Sequence, residues 1–339
     1  MPQQPDQAGS MPYPRTPLPQ QLGEVFTTEQ AQALGVSRGR LRCADLEHPF
    51  IGVYRRRNPA EHARINDLPP RQAWALRQRL KAEEFAAIMP AGSFFTGRTA
   101  AVLWNLPIPP ARSDDIEVGV LAPARAVRRA TVRGSQIRQH LVQTTMRFGL
   151  PTLTPASIWV VLAHRLALPD RVALGDAVLR HTRIPGTDRH EDPPLGTRQE
   201  LAKLTELARP GATLLRCALP LLVTASASPP ESHLRLLLNE WGFPEPKLDV
   251  DVRGPDGRLL GCSELAYPEF RVALEYEGDH HRVLVDQWNR DIQKYHDYAA
   301  NGWSVVRVTA TLQYQQPLVL RGRIHDALRR GGWGGEAGA

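Results

Sequence analysis

The stretch that organises the pattern is Arg271–Arg282, RVALEYEGDHHR, an apolar run that passes into acids and then histidines. In an extended strand, Val272, Leu274 and Tyr276 fall on one face and Ala273, Glu275 and Glu277 on the other. Two carboxylates then share a face, about 7 Å apart by the strand rise, ahead of a Gly278 turn carrying Asp279, His280 and His281. The run before it, Leu259–Tyr267, predicts a second strand, and Pro268–Phe270 is short enough to close a hairpin that sets Glu264 beside Glu275. Lys247–Arg253 alternates likewise and is followed by the turn residues Gly254-Pro255-Asp256-Gly257. Helical spacing flanks these strands. Glu231–Trp241 carries Leu234, Leu237, Leu238 and Trp241 in one stripe and is closed by Gly242. Asp286–Ala300 predicts a helix with Trp288, Ile292, Tyr295 and Ala299 toward the core and Asp291, Lys294 and Tyr298 on a different side. Trp303–Thr309 reads as a buried strand and Pro317–Arg330 as a last helix, so the order is helix, three strands, helix, strand, helix.

Upstream, residues 22–70 read as a winged helix-turn-helix. Thr27 with Gln30 has capping-box spacing for a helix through Ala31, Ala33 and Leu34, ended by Gly35. Ser37 can cap a second helix, RGRLRCADL, with Leu41 and Leu46 inward and Arg38, Arg40 and Arg42 outward, before FIGVYRRR as a wing ending in Arg55, Arg56 and Arg57. A small helical cap with solvated arginines is the structural alternative. Residues 71–196 read as an α/β scaffold: helices at 71–89, 96–104, 154–168 and 171–179, a strand at 116–121, and an arginine cluster at 125, 128, 129, 133 and 138 that either tracks phosphates or faces water. Residues 197–230 read as a helical connector ending in the linker TASASPP, and residues 1–21 and 331–339 as disordered tails.

Charge adds a preference without deciding it. The chain of 339 residues has 42 basic and 35 acidic side chains, a formal net charge of +7, and all but four of the basic residues are arginine. That excess suits a polyanion partner and equally suits the codon bias of a GC-rich genome. Cys43, Cys217 and Cys262 have neither disulfide-frame nor zinc-site spacing, which points to a reducing compartment. With no apolar leader and no long apolar run, the expectation is a soluble cytoplasmic protein with no membrane partner.

Two stretches resemble known families. VFTTEQAQALGVSRGRLRCADLEHPFIGVYR resembles the N-terminal winged helix of AbiEi-type antitoxins, on the Ala31, Gly35 and Leu41 skeleton and the Gly52-Val53-Tyr54 wing, and residues 71–196 are similar to the second domain of those proteins. Glu231–Ala310, with LAYPEFRVALEYEGDHHR, DIQK and GWSVVRVTA, resembles an endonuclease-like domain related to very-short-patch-repair endonucleases of the PD-(D/E)xK superfamily. In actinobacterial proteins that domain commonly follows an AbiEi-like half. The resemblance implies an α+β multidomain protein: a winged helix-turn-helix binding double-stranded DNA through Arg38, Arg40, Arg42, Arg55 and Arg56, a middle scaffold, and a restriction-endonuclease-like α/β sandwich over 231–330. It further implies hydrolysis of phosphodiester bonds with Mg²⁺, or Mn²⁺ in its place. Glu264 and Glu275 are the expected ion ligands, because hard cations take a few carboxylates and keep positions for water and substrate. Glu231 either joins them by orienting water or serves only as a favourable charge at a helix N-terminus. Glu277 belongs to the same catalytic group, His281 acts as general base or leaving-group acid, and Lys294 or Arg290 binds the scissile phosphate. Glu264 stands where the related family has Asp, and Glu277 where PD-(D/E)xK enzymes have lysine. The alternative is a DNA-binding regulator or antitoxin-like protein with an inert nuclease fold, partnered by a toxin or by a second copy of the chain.

Overall fold

The computed structural model describes residues 16–278 and 285–335, with side chains described outside 285–291. Asp279, His280 and His281 lie outside the described residues, as do the tail positions 1–15 and 336–339. The chain forms two compact units, one of residues 1–93 with 112–116, the other of 94–111 with 117–339.

In the first unit, β1 (Val25–Thr27) leads into α1 (Thr28–Ala33), whose start is closed by the Thr27–Gln30 capping box that the spacing predicts. The second expected helix does not form. Only a 3₁₀ turn, Arg40–Arg42, is present, and the backbone is already extended at Cys43. Leu46 instead opens β2 (Leu46–Phe50), pairing with Arg56 of β3 (Val53–Arg56) in an antiparallel sheet ordered β1-β3-β2. A short run with a glycine among its first residues is a weak helix, and strand pairing that buries Leu46 overrides it. The expected single wing strand is thus a hairpin turning at Ile51-Gly52, with Gly52 at φ +82. Leu18 and Leu22 are buried with Phe26, Ala31, Leu41 and Leu46, so residues 16–21 pack rather than trail. Helices α2 (Pro59–Asp67) and α3 (Pro70–Ala86) complete the unit.

The second unit begins with a six-stranded sheet. Its strands are β4 (Ser93–Phe95), β5 (Ile116–Leu121), β6 (Arg128–Arg129), β7 (Val132–Ile137), β8 (Thr144–Arg147) and β9 (Leu150–Leu153), in the order β6-β7-β5-β4-β9-β8. Helix α4 (Gly97–Leu103) follows β4, and the apolar α5 (Pro155–Leu162) and α6 (Leu168–Leu179) supply a core of Ile158, Trp159, Leu162, Val172, Leu174 and Val178. Two short helices, α7 (Arg198–Glu206) and α8 (Ala212–Ala218), lead to α9 (Pro229–Glu240). Buried Asp176 ties α6 to α9: it accepts hydrogen bonds from Ser232 Oγ and the Val223 N–H, both at 2.7 Å, and stands 3.5 Å from Arg235.

Beyond α9 come β10 (Lys247–Arg253), β11 (Leu259–Tyr267), β12 (Val272–Glu277), α10 (Val285–Ala300), β13 (Ser304–Thr309) and α11 (Pro317–Arg330). Their sheet is ordered β10-β11-β12-β13, antiparallel except for the parallel β12–β13 pair that α10 connects. One face buries Leu265, Tyr267, Val272 and Leu274 against Leu234 and Leu238 of α9 and Ile324 and Leu328 of α11. The opposite face carries Ala273, Val252 and Leu260 against Tyr298 of α10. Alternation along β12 therefore holds, but α10 is turned the other way round from its apolar stripe. Tyr298 is fully buried while Ile292 is 52% exposed. The sheet under α10 explains it: a Cβ at Gly261 would lie 3.0 Å from both Lys294 Cγ and Tyr298 Oη, so a missing side chain makes room for the polar face of the helix. After α11, Trp333 packs on Phe243 with ring centroids 5.5 Å apart, so residues 331–335 also join the fold. Among the described residues no helix is long and apolar enough to cross a membrane.

Candidate functional site

The register of the C-terminal sheet aligns three acids. Leu248 and Val250 pair with Leu265 and Ser263, which sets Asp249 opposite Glu264, and the Leu265–Leu274 pair sets Glu264 opposite Glu275. Residues directly opposed on one face have Cβ atoms about 4.5–5.5 Å apart, a distance at which like charges repel. Glu275 is 4% exposed and Glu264 half-buried. One Glu264 oxygen accepts the Tyr276 N–H at 2.8 Å. Its carboxyl is pushed up to about 8, first by burial, then by the charge of Glu231 and further by that of Glu275, while the Tyr276 N–H and Lys294 pull the other way.

Helix α10 delivers the cation. Lys294 Nζ donates to Glu275 Oε2 at 2.8 Å, with little of either side chain exposed. Beside it the Tyr298 hydroxyl is buried and has no hydrogen-bond partner among the described residues, and burial with the Glu275 charge raises its pKa, so it stays a neutral phenol. Glu231, also buried, is held at the start of α9 by the Ala227 N–H at 2.8 Å and Ser228 Oγ at 2.7 Å, and burial raises its pKa. Glu277 is engaged elsewhere, accepting from Arg307 Nε at 2.7 Å and the Tyr295 hydroxyl at 3.1 Å. Of the predicted catalytic set, Glu264 and Glu275 are brought together with Lys294, Glu231 acts on Glu264 by charge, and Glu277 has its own partners. His281 and the Arg290 side chain fall outside what is described.

A cavity of about 220 Å³ opens beside Glu231 and Glu264, lined also by Arg180, Arg183, Asp249 and Cys262. Sequence reasoning missed this wall. Arg183 bridges to Asp249 at 3.0 Å and to Asp251 at 2.9 Å, and Asp249 sits at φ +51 inside a strand, a conformation that costs about 1–3 kcal/mol and persists only where its surroundings hold it. Burial, then the hydrogen bond to Asp249, pushes the Cys262 thiol up to about 12, so it is an inert neutral donor rather than a nucleophile. The alternation of acids in KLDVDVR was the available signal, and it read equally well as a plain strand.

The arginines assigned to DNA in the first unit separate into two groups. Arg40 is clamped to Asp45 through two hydrogen bonds of 3.0 and 2.7 Å, and its Nε donates to the Thr16 carbonyl. Arg55 is buried between Glu61 at 2.6 Å and Glu84 at 3.0 Å, and Arg56 donates to the carbonyls of Pro19, Leu22 and Gly23. All three are thus tied into the unit by partners within the protein. Arg38 and Arg42 are exposed.

No family model matches the chain. It is 26% identical over 233 residues, 68% of this chain and 80% of theirs, to the uncharacterized proteins MT2308 of Mycobacterium tuberculosis strain CDC 1551 / Oshkosh and Rv2248 of strain ATCC 25618 / H37Rv.

Whether the acids fit a divalent ion is a matter of donor chemistry. Among the described residues no three histidine, cysteine or acidic side chains stand in ion-holding geometry. Glu264 and Glu275 nevertheless offer hard oxygen donors under mutual repulsion, the combination a hard dication relieves, and two carboxylates with water suffice for Mg²⁺. Glu231, with both oxygens in its cap, is better placed as a charge acting on Glu264 than as a third ligand.

Proposed function

We propose that the C-terminal sheet carries a divalent-cation-dependent site that hydrolyses phosphodiester bonds in DNA, on a fold of the PD-(D/E)xK kind. The observation that carries this reading is Glu264 opposite Glu275 on adjacent strands. Facing buried acids weaken a fold, and neither carboxylate fills a hydrophobic role. The reading is supported as well by a helix, an antiparallel three-strand meander and a parallel fourth strand reached through a helix.

Glu264 and Glu275 would hold the ion, which when bound would neutralise charge on the phosphoryl oxygens. Lys294 reaches the acids from α10 where related enzymes use a strand lysine, and its ammonium, next to Glu275, is placed to receive a phosphate oxygen. Tyr298, uncharged and buried, adds a neutral donor beside Glu275. Burial first, and then the Glu231 charge, keep the proton affinity of Glu264 high, so a proton and an ion would compete for that carboxylate and activity would rise with pH toward about 8.

The test incubates full-length protein with plasmid and with nicked or mismatched duplexes in Mg²⁺ and in Mn²⁺, beside Glu275→Ala. Cleavage that disappears in the variant supports the reading. Salt-sensitive binding without cutting under either metal supports instead a DNA-binding regulator on an inert fold, a second reading favoured by the Lys294–Glu275 ion pair, which holds a cation where the metal is needed.

A further inference from the structure

The middle sheet contains a second concave site whose lining is unlike that of the acidic cleft. A cavity of about 580 Å³ lies between β7, the 3₁₀ turn Ala163–Arg165 after α5, and the segment Ala208–Pro210, a volume within the roughly 300–1,000 Å³ range of small-molecule sites. Arg133, Arg138, Arg165 and Arg209 line it against a single carboxylate, Glu117, which Arg165 already holds through both guanidinium nitrogens. No acidic side chain among the described residues pairs with Arg133, Arg138 or Arg209, and Arg133 lies directly opposite Arg128 on β6, a like-charge pair that adds to the positive field. The field is felt nearby: burial, then Arg165, and also Arg133, lower the proton affinity of Arg98 against the pull of Glu117.

Two polar groups in the lining lack a hydrogen-bond partner among the described residues. They are the Thr96 hydroxyl, on a residue 3% exposed, and Arg209 Nε. Buried donors are rarely left unmet, because each costs about 1–3 kcal/mol. The rest of the lining mixes Ser135, Gln136 and His164 with aliphatic side chains that include Leu141, Val142 and Val160. Donors and positive charge side by side with aliphatic side chains match an anionic head group on an organic body, and Arg209 is held among them by its hydrogen bond to the Leu141 carbonyl at 2.8 Å. A Cβ at Gly97, where φ is +52, would run into Glu117 and stand 3.0 Å from Arg165, so the close approach that seats Arg165 needs glycine.

We propose that this cavity binds a small phosphorylated organic molecule of nucleotide size, its phosphate taken by Arg133, Arg138 and Arg209 and its body laid on Val142 and Val160. A duplex is the less fitting source of phosphate, since its backbone meets protruding side chains and not a buried hydroxyl such as Thr96.

The experiment is calorimetric titration of the full-length protein with inorganic phosphate, adenosine 5′-monophosphate, adenosine and a short DNA duplex, repeated on Arg138→Gln and Arg209→Lys. Expected is binding of the monophosphate at least about tenfold tighter than inorganic phosphate, silence with adenosine, and a loss of about tenfold in Arg138→Gln. Arg138 is exposed, so that variant should melt like the parent without ligand; Arg209→Lys, which keeps the charge, should lose less. Silence with both phosphate and the monophosphate at about 10 mM overturns the proposal, as does affinity unchanged in both variants. Inorganic phosphate binding as tightly as the monophosphate overturns the organic body, and duplex binding weakened by Arg138→Gln with no monophosphate binding overturns the small ligand in favour of nucleic acid.

Discussion

In the N-terminal unit each buried guanidinium meets carboxylates: Arg40 with Asp45, Arg55 with Glu61 and Glu84. In the C-terminal sheet, carboxylates meet each other, Asp249 beside Glu264 beside Glu275, with Lys294 and Arg183 arriving from other elements. The first arrangement completes local structure and explains why those residues are charged. The second keeps carboxylates under mutual repulsion even with Arg183 and Lys294 paired to them, a repulsion that the proposed ion would relieve. Crowded like charge is thus the better pointer to a site than charge as such, and the most direct way to break the comparison is at Arg55. Arg55→Ala leaves Glu61 and Glu84 without their shared cation, an uncompensated burial that costs about 3–5 kcal/mol. Urea unfolding of the full chain should register that loss; an Arg55→Ala protein as stable as the parent but weaker on DNA would return Arg55 to the phosphate-binding set.

The Lys294–Glu275 contact sharpens the other half. A double-mutant cycle of Lys294→Met and Glu275→Gln should give a coupling of about 1–2 kcal/mol, as for partly buried charged pairs. A coupling near zero would mean that α10 is not seated on this face, and the site would lose its cation.

Glu264 predicts a stabilising substitution, the reverse of the Arg55 case. Its folded pKa, about 8, lies above that of an unfolded glutamate. Between roughly pH 4.5 and pH 8 the unfolded chain therefore releases a proton that the folded one retains, and stability falls as pH rises through that window. Glu264→Gln removes the penalty, and should raise stability by about 1 kcal/mol at pH 8, after allowance for partial exposure, and by little at pH 4.5. Equal effects at both pH values would show that Glu264 is not crowded. Added Mg²⁺ should narrow the gap at pH 8 if the carboxylate is an ion ligand.

How far this was legible depends on what the signals consisted of. Strands β10 and β11 and helix α11 have the bounds that alternation and turn residues predict, because Gly254-Pro255-Asp256-Gly257 and Pro317 are strong local punctuation. The β6–β7 hairpin has no local signal, since its turn places Thr131, a residue that does not advertise a left-handed backbone, at φ +62, and the β8–β9 turn, Phe148 at φ +51 and Gly149 at φ +75, offers one glycine alone. Helix α10 was placed with its apolar stripe inward, whereas Gly261, Ala273 and Glu275 beneath it accept the Lys294 and Tyr298 face. Glu264 and Glu275 were readable from strand pairing alone. Arg40 and Arg55 were not, for their partners are set by tertiary packing that no local spacing reveals.

The smallest expected effects fall on Arg38 and Arg42, which are exposed. Substituting either with Ala should change stability by no more than about 0.5 kcal/mol. If they touch a DNA backbone, each substitution lowers the slope of log affinity against log salt by about one, and it does so uniformly across sequences. Arg40→Ala is the matched control. It loses the Asp45 clamp and the Thr16 tie, so its DNA affinity falls together with stability, and restoring the fold by lowering temperature should restore binding with the salt slope unchanged. A slope that drops for Arg40→Ala but not for Arg38→Ala would mean that the clamped guanidinium, not the exposed ones, faces the phosphates, and pairing could then no longer be used to separate structural charge from functional charge in the N-terminal unit.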